Sequence, residues 1–333
     1  MEHGHVFSVL RRLSSVVLLT LIASLAQAQD WPTRPIHVIV GAGPGGGTDI
    51  ITRIIGQPLS ELLGQPVVVE NKQGPANLLA TGALVKAAKD GYTAYMINNS
   101  HGVVAALYKN LPFDPVNDFG FVSFTGVAGL VLVTRKDFPA SNVKELIAAA
   151  KAAPGKLNFA SVGNGTTQHF SGELFRQLAG VDVKHIPYRS TPAAVTGLLA
   201  GEVDFTFELV QPVLGQIRAG ELKALAVTSP ERYAALPELP TVAESGLPSF
   251  QVMSWYGLTV PAGTPEPIVA RMNKALHEVL AREDIRAALL KVGATAKTST
   301  PQELRQHVIN EIAKWNDVRE KAGIGRASCR ERV

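Results

Sequence analysis

The stretch Gly41-Ala42-Gly43-Pro44-Gly45-Gly46-Gly47-Thr48-Asp49 follows the apolar run Ile36-His37-Val38-Ile39-Val40 and opens a segment, Thr48 to Leu63, with helical spacing of apolar residues. A second stretch, Ser161-Val162-Gly163-Asn164-Gly165-Thr166-Thr167-Gln168-His169, repeats the order, after the run Leu157 to Ser161 and before a helical segment from Phe170 to Ala179. In a strand, glycine loop and helix series, the helix start exposes unpaired N–H groups and the positive end of its dipole. Glycine lets a ligand come close to that backbone. Two such loops far apart in the chain predict an anion clamp with one jaw in each half.

Outward from the first loop, strand and helix patterns alternate. Pro66 to Glu70 reads as a strand, Leu78 to Ala88 as a helix, and Ala94 to Asn98 as a strand. Phe119 to Gly126 reads as a further strand, and the first lobe is expected to end near residue 126. A second unit starts at Leu130-Val131-Leu132-Val133-Thr134, with helices from Val143 to Ala153 and Ala193 to Ala200, and strands Val203 to Phe207 and Lys223 to Ser229. From Ser254 the chain reads as a return to the first lobe, with helices Glu266 to Ala281, Asp284 to Lys291 and Pro301 to Lys321. The expectation is an α/β protein with lobe 1 over 29–126 and 254–323, lobe 2 over 127–253, and chain crossings near 126 and 253 acting as a hinge.

The ends are of another character. Arg11 and Arg12 precede an apolar run, Val16 to Ala23, and Ala26-Gln27-Ala28 has the small-x-small form of a cleavage site, which predicts a signal peptide over 1–28 and a periplasmic location. Ile324 to Val333 is basic, lacks helical periodicity and resembles translated sequencing-adapter DNA, so it reads as a non-native tail that holds Cys329, the chain's one cysteine. The 333 residues carry a net charge of +4, of which the leader contributes one (Arg11 and Arg12 against Glu2) and the tail two (Arg326, Arg330 and Arg332 against Glu331). The remaining +1 argues against nucleic acid as a partner. With 46% hydrophobic and 18% charged residues the chain has a globular composition.

Gly41-x-Gly43-x-x-Gly46 formally satisfies the dinucleotide fingerprint, and Glu70 ends the next strand where a ribose-binding acid would stand. An exported dinucleotide-binding α/β oxidoreductase is therefore the alternative reading, opposed by the export signal. Ser161 and His169 raise a hydrolase, but Ser161-Val162-Gly163-Asn164-Gly165 is not the nucleophile-elbow pattern, and their expected work is hydrogen bonding and helix packing. No H-x-x-x-H or C-x-x-C spacing suggests a metal.

Further motifs run in order along the chain: Pro44 to Asp49 (PGGGTD), Glu70 to Gly74 (ENKQG), Lys86 to Thr93 (KAAKDGYT), Ala106 to Pro115 (ALYKNLPFDP), Pro154 to His169, Ala224 to Arg232, Pro240 to Pro248 and Pro261 to Pro265. On these, residues 29–323 resemble the Bug receptors, periplasmic solute-binding proteins of tripartite tricarboxylate transporters. The resemblance implies a two-lobed, type II periplasmic-binding-protein (Venus-flytrap) fold that closes on a small carboxylate and delivers it to a membrane permease. A sensor protein as the receiving partner is a further alternative. It implies no catalysis, no cofactor and no metal, and a monomer is expected.

Carried over, the ligand-binding residues are Pro44, Gly45, Gly46, Gly47, Thr48 and Asp49 in one lobe and Ser161, Gly163, Asn164, Gly165 and Thr166 in the other. Arg189 is added as a candidate for a distal carboxylate. Asp49 has two readings: a cap or dipole partner at the helix start, or a partner for a ligand ammonium. Trp255, Tyr256 and Tyr188 are candidates for the surround of the pocket. The family often has proline and an aromatic residue where Gly41 and Ala42 stand, more glycine around Pro75-Ala76-Asn77-Leu78, glycines at Ser190-Thr191, and an Asp-Asn pair at Glu208-Leu209. These departures predict a larger or more apolar ligand, aromatic or dicarboxylate, over a small tricarboxylate.

Overall fold

The computed structural model describes residues 31–74, 77–163, 166–233 and 236–321. The expected leader and tail lie outside these residues, as do Asn164 and Gly165 of the second loop.

β1 (Ile36–Val40) is buried on both faces, with Ile36, Val38 and Val40 in one core cluster and Ile39 in another, as the period of two along a strand requires. It lies between β2 (Val67–Asn71) and β3 (Thr93–Asn98), parallel to each. β9 (Met253–Pro261) then pairs antiparallel with β3 and with the first part of β4 (Phe119–Arg135). The second half repeats this plan. β5 (Asn158–Ser161) lies between β6 (Lys184–Pro187) and β7 (Phe205–Leu209), parallel to each, and β7 pairs antiparallel with the last part of β4, which also pairs with β8 (Leu222–Val227).

The helices, in chain order, are α1 (Gly47–Leu63), α2 (Leu78–Val85), α3 (Ser100–Leu107), α4 (Val143–Ala152), α5 (Thr167–Ala179), α6 (Thr191–Ala200), α7 (Val210–Arg218), α8 (Glu266–Ala281), α9 (Glu283–Lys291) and α10 (Pro301–Lys321). Each sheet is covered on both faces. In lobe 1, Ile51, Ile55 and Leu59 of α1 and Met272 and Leu276 of α8 form one core, and Leu84 of α2 with Leu304 and Val308 of α10 contributes to the other. In lobe 2, Leu146 and Phe175 pack with Phe159, Phe205 and Phe207, while Val195, Leu198 and Val213 cover the opposite face.

One strand makes the first chain crossing. The runs Phe119 to Gly126 and Leu130 to Thr134 form a single strand that serves both sheets, its partner changing from β9 up to Gly129 to β7 and β8 from Leu130. Register shifts near Phe121, Phe124 and Leu132 interrupt the regular pairing and let this long strand bend between the sheets. Two helices and an edge strand go beyond the expected elements. α3 is short and apolar, α7 carries Pro212 and Gly215, and β6 is a four-residue edge strand with little apolar patterning.

Candidate functional site

In each lobe the order of strands reverses at the strand that feeds a glycine loop: β2 and β3 flank β1, and β6 and β7 flank β5. A cleft forms beyond the carboxyl end of such a switch strand, so the two loops face shared space. That cleft has a volume of about 1240 Å³, more than the roughly 300 to 1,000 Å³ usual for small-ligand sites.

Six helices begin at its wall. Gly46 caps α1, Asn77 caps α2, Ser100 starts α3, Thr166 caps α5, Ser190 caps α6 and Leu209 precedes α7, and all six residues line the cleft. The described lining contains no aspartate or glutamate, and its one formal charge is Arg189, whose exposed guanidinium has no ion-pair partner among the described residues. Converging helix starts with no acid among the lining residues make a field that favours an anion. Val104, Leu107, Val162 and Leu209 supply apolar wall.

The predicted site residues divide into those at the surface of the cleft and those that brace it. Pro44, Gly45, Gly46, Gly47, Thr166 and Arg189 line it. Asp49 does not: it is 2% exposed, and its carboxylate accepts from the Gly45 N–H (2.9 Å), Arg53 Nε (3.0 Å) and Asn71 Nδ2 (2.9 Å). The cap position of α1 is Gly46, which has no side chain to use, and Asp49 reaches back from the first turn to hold the loop instead. Burial works to raise its pKa, and the bonds from Arg53, Gly45 and Asn71 outweigh that and hold it below the usual carboxylate value. Thr48 is likewise buried, its hydroxyl accepting from Asn98 Nδ2 at 3.0 Å.

In the second loop Thr166 is a true cap, its Oγ1 accepting from the His169 N–H at 3.4 Å and donating to the Gly163 carbonyl at 2.8 Å. Gly163 has φ +121°, a conformation a side chain would strain, and its N–H donates to Ser161 Oγ at 3.1 Å. Ser161 is fully buried and also meets His185 Nε2 at 2.6 Å. That pair has the look of a nucleophile and base. Its hydroxyl is enclosed and tied into the turn, however, and His185, pushed down to about 4 by burial, stacks on Phe159 and on His169. The pair therefore braces the loop.

The aromatic candidates separate in the same way. Tyr256 lines the cleft, whereas Trp255 is core, its Nε1 donating to Glu311 at 3.4 Å, and the Tyr188 hydroxyl donates to Glu202 at 3.0 Å. Glu70 is held by His37 Nδ1 at 2.6 Å and Lys72 Nζ at 3.2 Å and does not line the cleft, so the geometry lacks the free ribose-binding acid of the dinucleotide alternative.

Two lining residues, Gln73 and Asn77, were not among the predicted ligand-binding residues. A Cβ on Gly41 would stand 2.6 Å from Asn77 Oδ1, and one on Gly43 would overlap Gln73 Nε2, so these glycines make room for two side-chain amides from the loop after β2. Part of the extra room expected at Gly41 and Ala42 is filled on the Gly41 side by Asn77, whose own φ is +58°. The signal lay in the departures themselves, since Gly41 and Asn77 had both been singled out but nothing local paired them.

The description "Tripartite tricarboxylate transporter family receptor" belongs to a family whose model matches residues 51–324. BugT of Bordetella pertussis is 36% identical over 304 residues, covering 91% of this chain and 93% of its own. The structure of R. palustris Rpa4515 with adipate superposes with a TM-score of 0.82 at 33% identity, over 89% of this chain and 99% of that one. MatC from Rhodopseudomonas palustris with bound malate gives 0.77 at 34% identity, over 86% and 99%. Fold, cleft and motifs agree with these likenesses, and the chain belongs to the tripartite tricarboxylate transporter receptor family, with its two-lobed type II fold.

Proposed function

We propose that this protein works in the periplasm as the receptor that captures a small carboxylate between its lobes and delivers it to the membrane permease of a tripartite tricarboxylate transporter. The observation that carries this reading is the convergence of six helix starts on a cleft whose described lining holds no acidic side chain. The glycine loops, Pro44 to Thr48 and Ser161 to Thr166, meet the carboxylate with the backbone N–H groups not committed to the loops' own bonds, those of Gly47 and Thr48 in the first loop, and Arg189 serves a second carboxylate where the ligand has one. Val104, Leu107, Val162 and Leu209 suit a ligand with an apolar body. Adipate and malate, bound by the similar proteins, fall within this class. Binding needs no catalysis.

Hydrogen bonds to a charged group contribute about 1.5 to 3 kcal/mol each, so four or five reach the roughly 8 kcal/mol of a micromolar site after association costs of several kcal/mol. A thermal-shift screen against mono- and dicarboxylates, aromatic acids, amino acids and dinucleotides tests the reading. Ligand at 100 times its dissociation constant adds about 2.7 kcal/mol of stability, a readable shift. Stabilisation by carboxylates is expected; stabilisation by a dinucleotide alone overturns the reading.

A further inference from the structure

Glu208 is the penultimate residue of β7, immediately before Leu209, and lies behind the wall of the cleft, fully buried. Its Oε1 accepts from two donors, the Leu209 N–H at 2.8 Å and Gln168 Nε2 at 3.0 Å. Its Oε2 has no hydrogen-bond partner among the described residues. The Thr191 hydroxyl is near enough to influence this carboxyl but stands outside hydrogen-bonding geometry, and Tyr256 faces it from β9. Thr191, Leu209 and Tyr256 all line the cleft. A buried acid thus sits one side chain behind a surface that otherwise carries no acid.

The surroundings offer it no counter-charge. α6 and β5 contain no ionisable side chain, and Val131 is its partner on β4. On α5, His169 stacks on His185 and Glu173 pairs with Arg176; Arg135 of β4 is bound to Asp137 and Asp204, and Arg218 ends α7 a full helix away. Tyr256 is buried and neutral, pushed up by burial, and Arg189 projects into the open cleft. An unpaired carboxylate in such a place is costly, and a proton relieves the cost. With Oε1 occupied as a double acceptor, that proton belongs on Oε2.

We propose that Glu208 is the specificity-determining acid of this cleft: carrying a proton on Oε2 it leaves the Thr191 hydroxyl free to donate to a ligand carboxylate, and without that proton it makes the cleft reject carboxylates. The proposal rests on the carboxylate-receptor reading above. One side-chain rotation brings Oε2–H onto Thr191 Oγ1, and the Thr191 O–H then points its hydrogen into the cleft. Ionised Glu208 reverses the chain: the Thr191 O–H donates backwards to Oε2, its lone pairs face the ligand, and an uncompensated negative charge lies behind them. The surface then suits an ammonium group better than a carboxylate. Burial, opposed by the bonds from Leu209 and Gln168 and by the nearby Thr191 hydroxyl, pushes the carboxyl up to about 7, so the switch lies within reach of ordinary conditions. By reciprocity, a bound carboxylate tightens the hold of Glu208 on its proton, and binding takes up protons near neutral pH.

The experiment compares the wild-type protein with Glu208→Gln, whose amide keeps an acceptor for Leu209 and a donor toward Thr191 but cannot ionise. Calorimetric titration with adipate from about pH 6 to about pH 8.5 is expected to show wild-type affinity falling by about tenfold, with proton uptake detected as a dependence of heat on buffer ionisation, and a flat profile in the variant. Wild-type affinity and heats independent of pH and buffer, or the same pH dependence in both proteins, overturn the proposal. A ligand-free readout separates this from failure of the receptor reading. Because the folded state holds the Glu208 proton more tightly than the unfolded chain, wild-type stability in urea should fall relative to the variant as pH rises from about 4.5 to about 7. A stability difference constant across that window means an ordinary carboxyl and overturns the proposal, whether or not adipate binds; absence of binding by every carboxylate, with the stability signal present, refutes the receptor reading alone. Should the variant not fold, buffer-dependent proton uptake by the wild type decides.

Discussion

Gly47 is the first helical residue of α1, and a Cβ placed there would stand 3.0 Å from Leu209 Cδ1, which comes from the other half of the chain, and 3.3 Å from the Tyr256 hydroxyl. Gly47→Ala therefore puts one methyl into the space where the lobes meet over a ligand. The helix itself tolerates the change, since this glycine is not in the left-handed region. Replacing glycine by alanine at a compatible position stabilises by about 0.4 to 1 kcal/mol, and the contact with the mobile end of Leu209 offsets part of this. The ligand-free melting temperature should therefore stay within about 4 °C of wild type. Binding should behave differently, because the methyl denies a carboxylate its closest approach to the loop amides. Loss of one charge-assisted hydrogen bond costs about 1.5 to 3 kcal/mol, or roughly 10- to 150-fold in affinity. Calorimetric titration with adipate or malate, beside scanning calorimetry of the free protein, measures both quantities. Unchanged affinity with an unchanged melting temperature would refute the placement of this loop against the ligand, and outright unfolding would show that Gly47 serves the fold alone.

Asp49→Ala leaves the Gly45 N–H without its acceptor and removes one of the two acceptors of the Asn71 amide, so a stability loss of about 2 kcal/mol and faster amide exchange at Gly45 are expected; exchange as slow as in wild type contradicts the bracing role. Arg189→Ala should weaken dicarboxylates by up to about tenfold and leave monocarboxylates of the same length unchanged, a contrast read by competition titration, and equal loss for both removes the residue from the site. His101 is buried, its Nε2–H donating to the Pro115 carbonyl at 2.7 Å, and burial pushes it down to about 4. Its folded pKa lies below the unfolded value of about 6.5, so its contribution is complete above that pH and is lost as pH falls toward 4, about 3 kcal/mol in all. Urea unfolding of His101→Gln, which keeps a donor for Pro115, should show a shallower acid limb than wild type, and identical limbs contradict the assignment.

Much of this was legible because its causes are local. The glycine runs, the Thr166 cap and the apolar periods on either side are signals spanning a few residues, and they led to the two loops and to the alternation of strand and helix. Asp49 was legible as a dipole partner at a helix start but not as the acceptor for Gly45, since its N–H donor depends on how the loop turns. Pairings across long sequence separations were not readable. Ser161 meets His185, Gln168 meets Glu208, and Asn77 fills the space beside Gly41, each through strands or loops that pack together only in the assembled fold. The continuity of β4 between Phe119 to Gly126 and Leu130 to Thr134 was not readable for a related reason: pairing with β9, β7 and β8 holds the strand extended through 127–129.

The start of α5 shows how capture and closure share one element. Thr166 faces the cleft; the next residue, Thr167, accepts a hydrogen bond from Asn99 Nδ2 of the other lobe; and Asn99 Oδ1 in turn accepts from Ser254 Oγ at 3.1 Å. One turn further, Phe170 packs edge-on to Trp315 of α10, ring centres 4.7 Å apart, in a cluster with Val103 and Leu107 of α3. On the opposite flank, the Tyr233 hydroxyl donates to the Leu290 carbonyl at the end of α9. Rotation of lobe 2 about the shared strands β4 and β9 cannot move the Thr166 cap without also working against these contacts. In the proposed role, a ligand held at the Thr166 cap acts directly on a helix that contacts both lobes, so no separate relay is needed to couple occupancy of the cleft to the relation of its two walls.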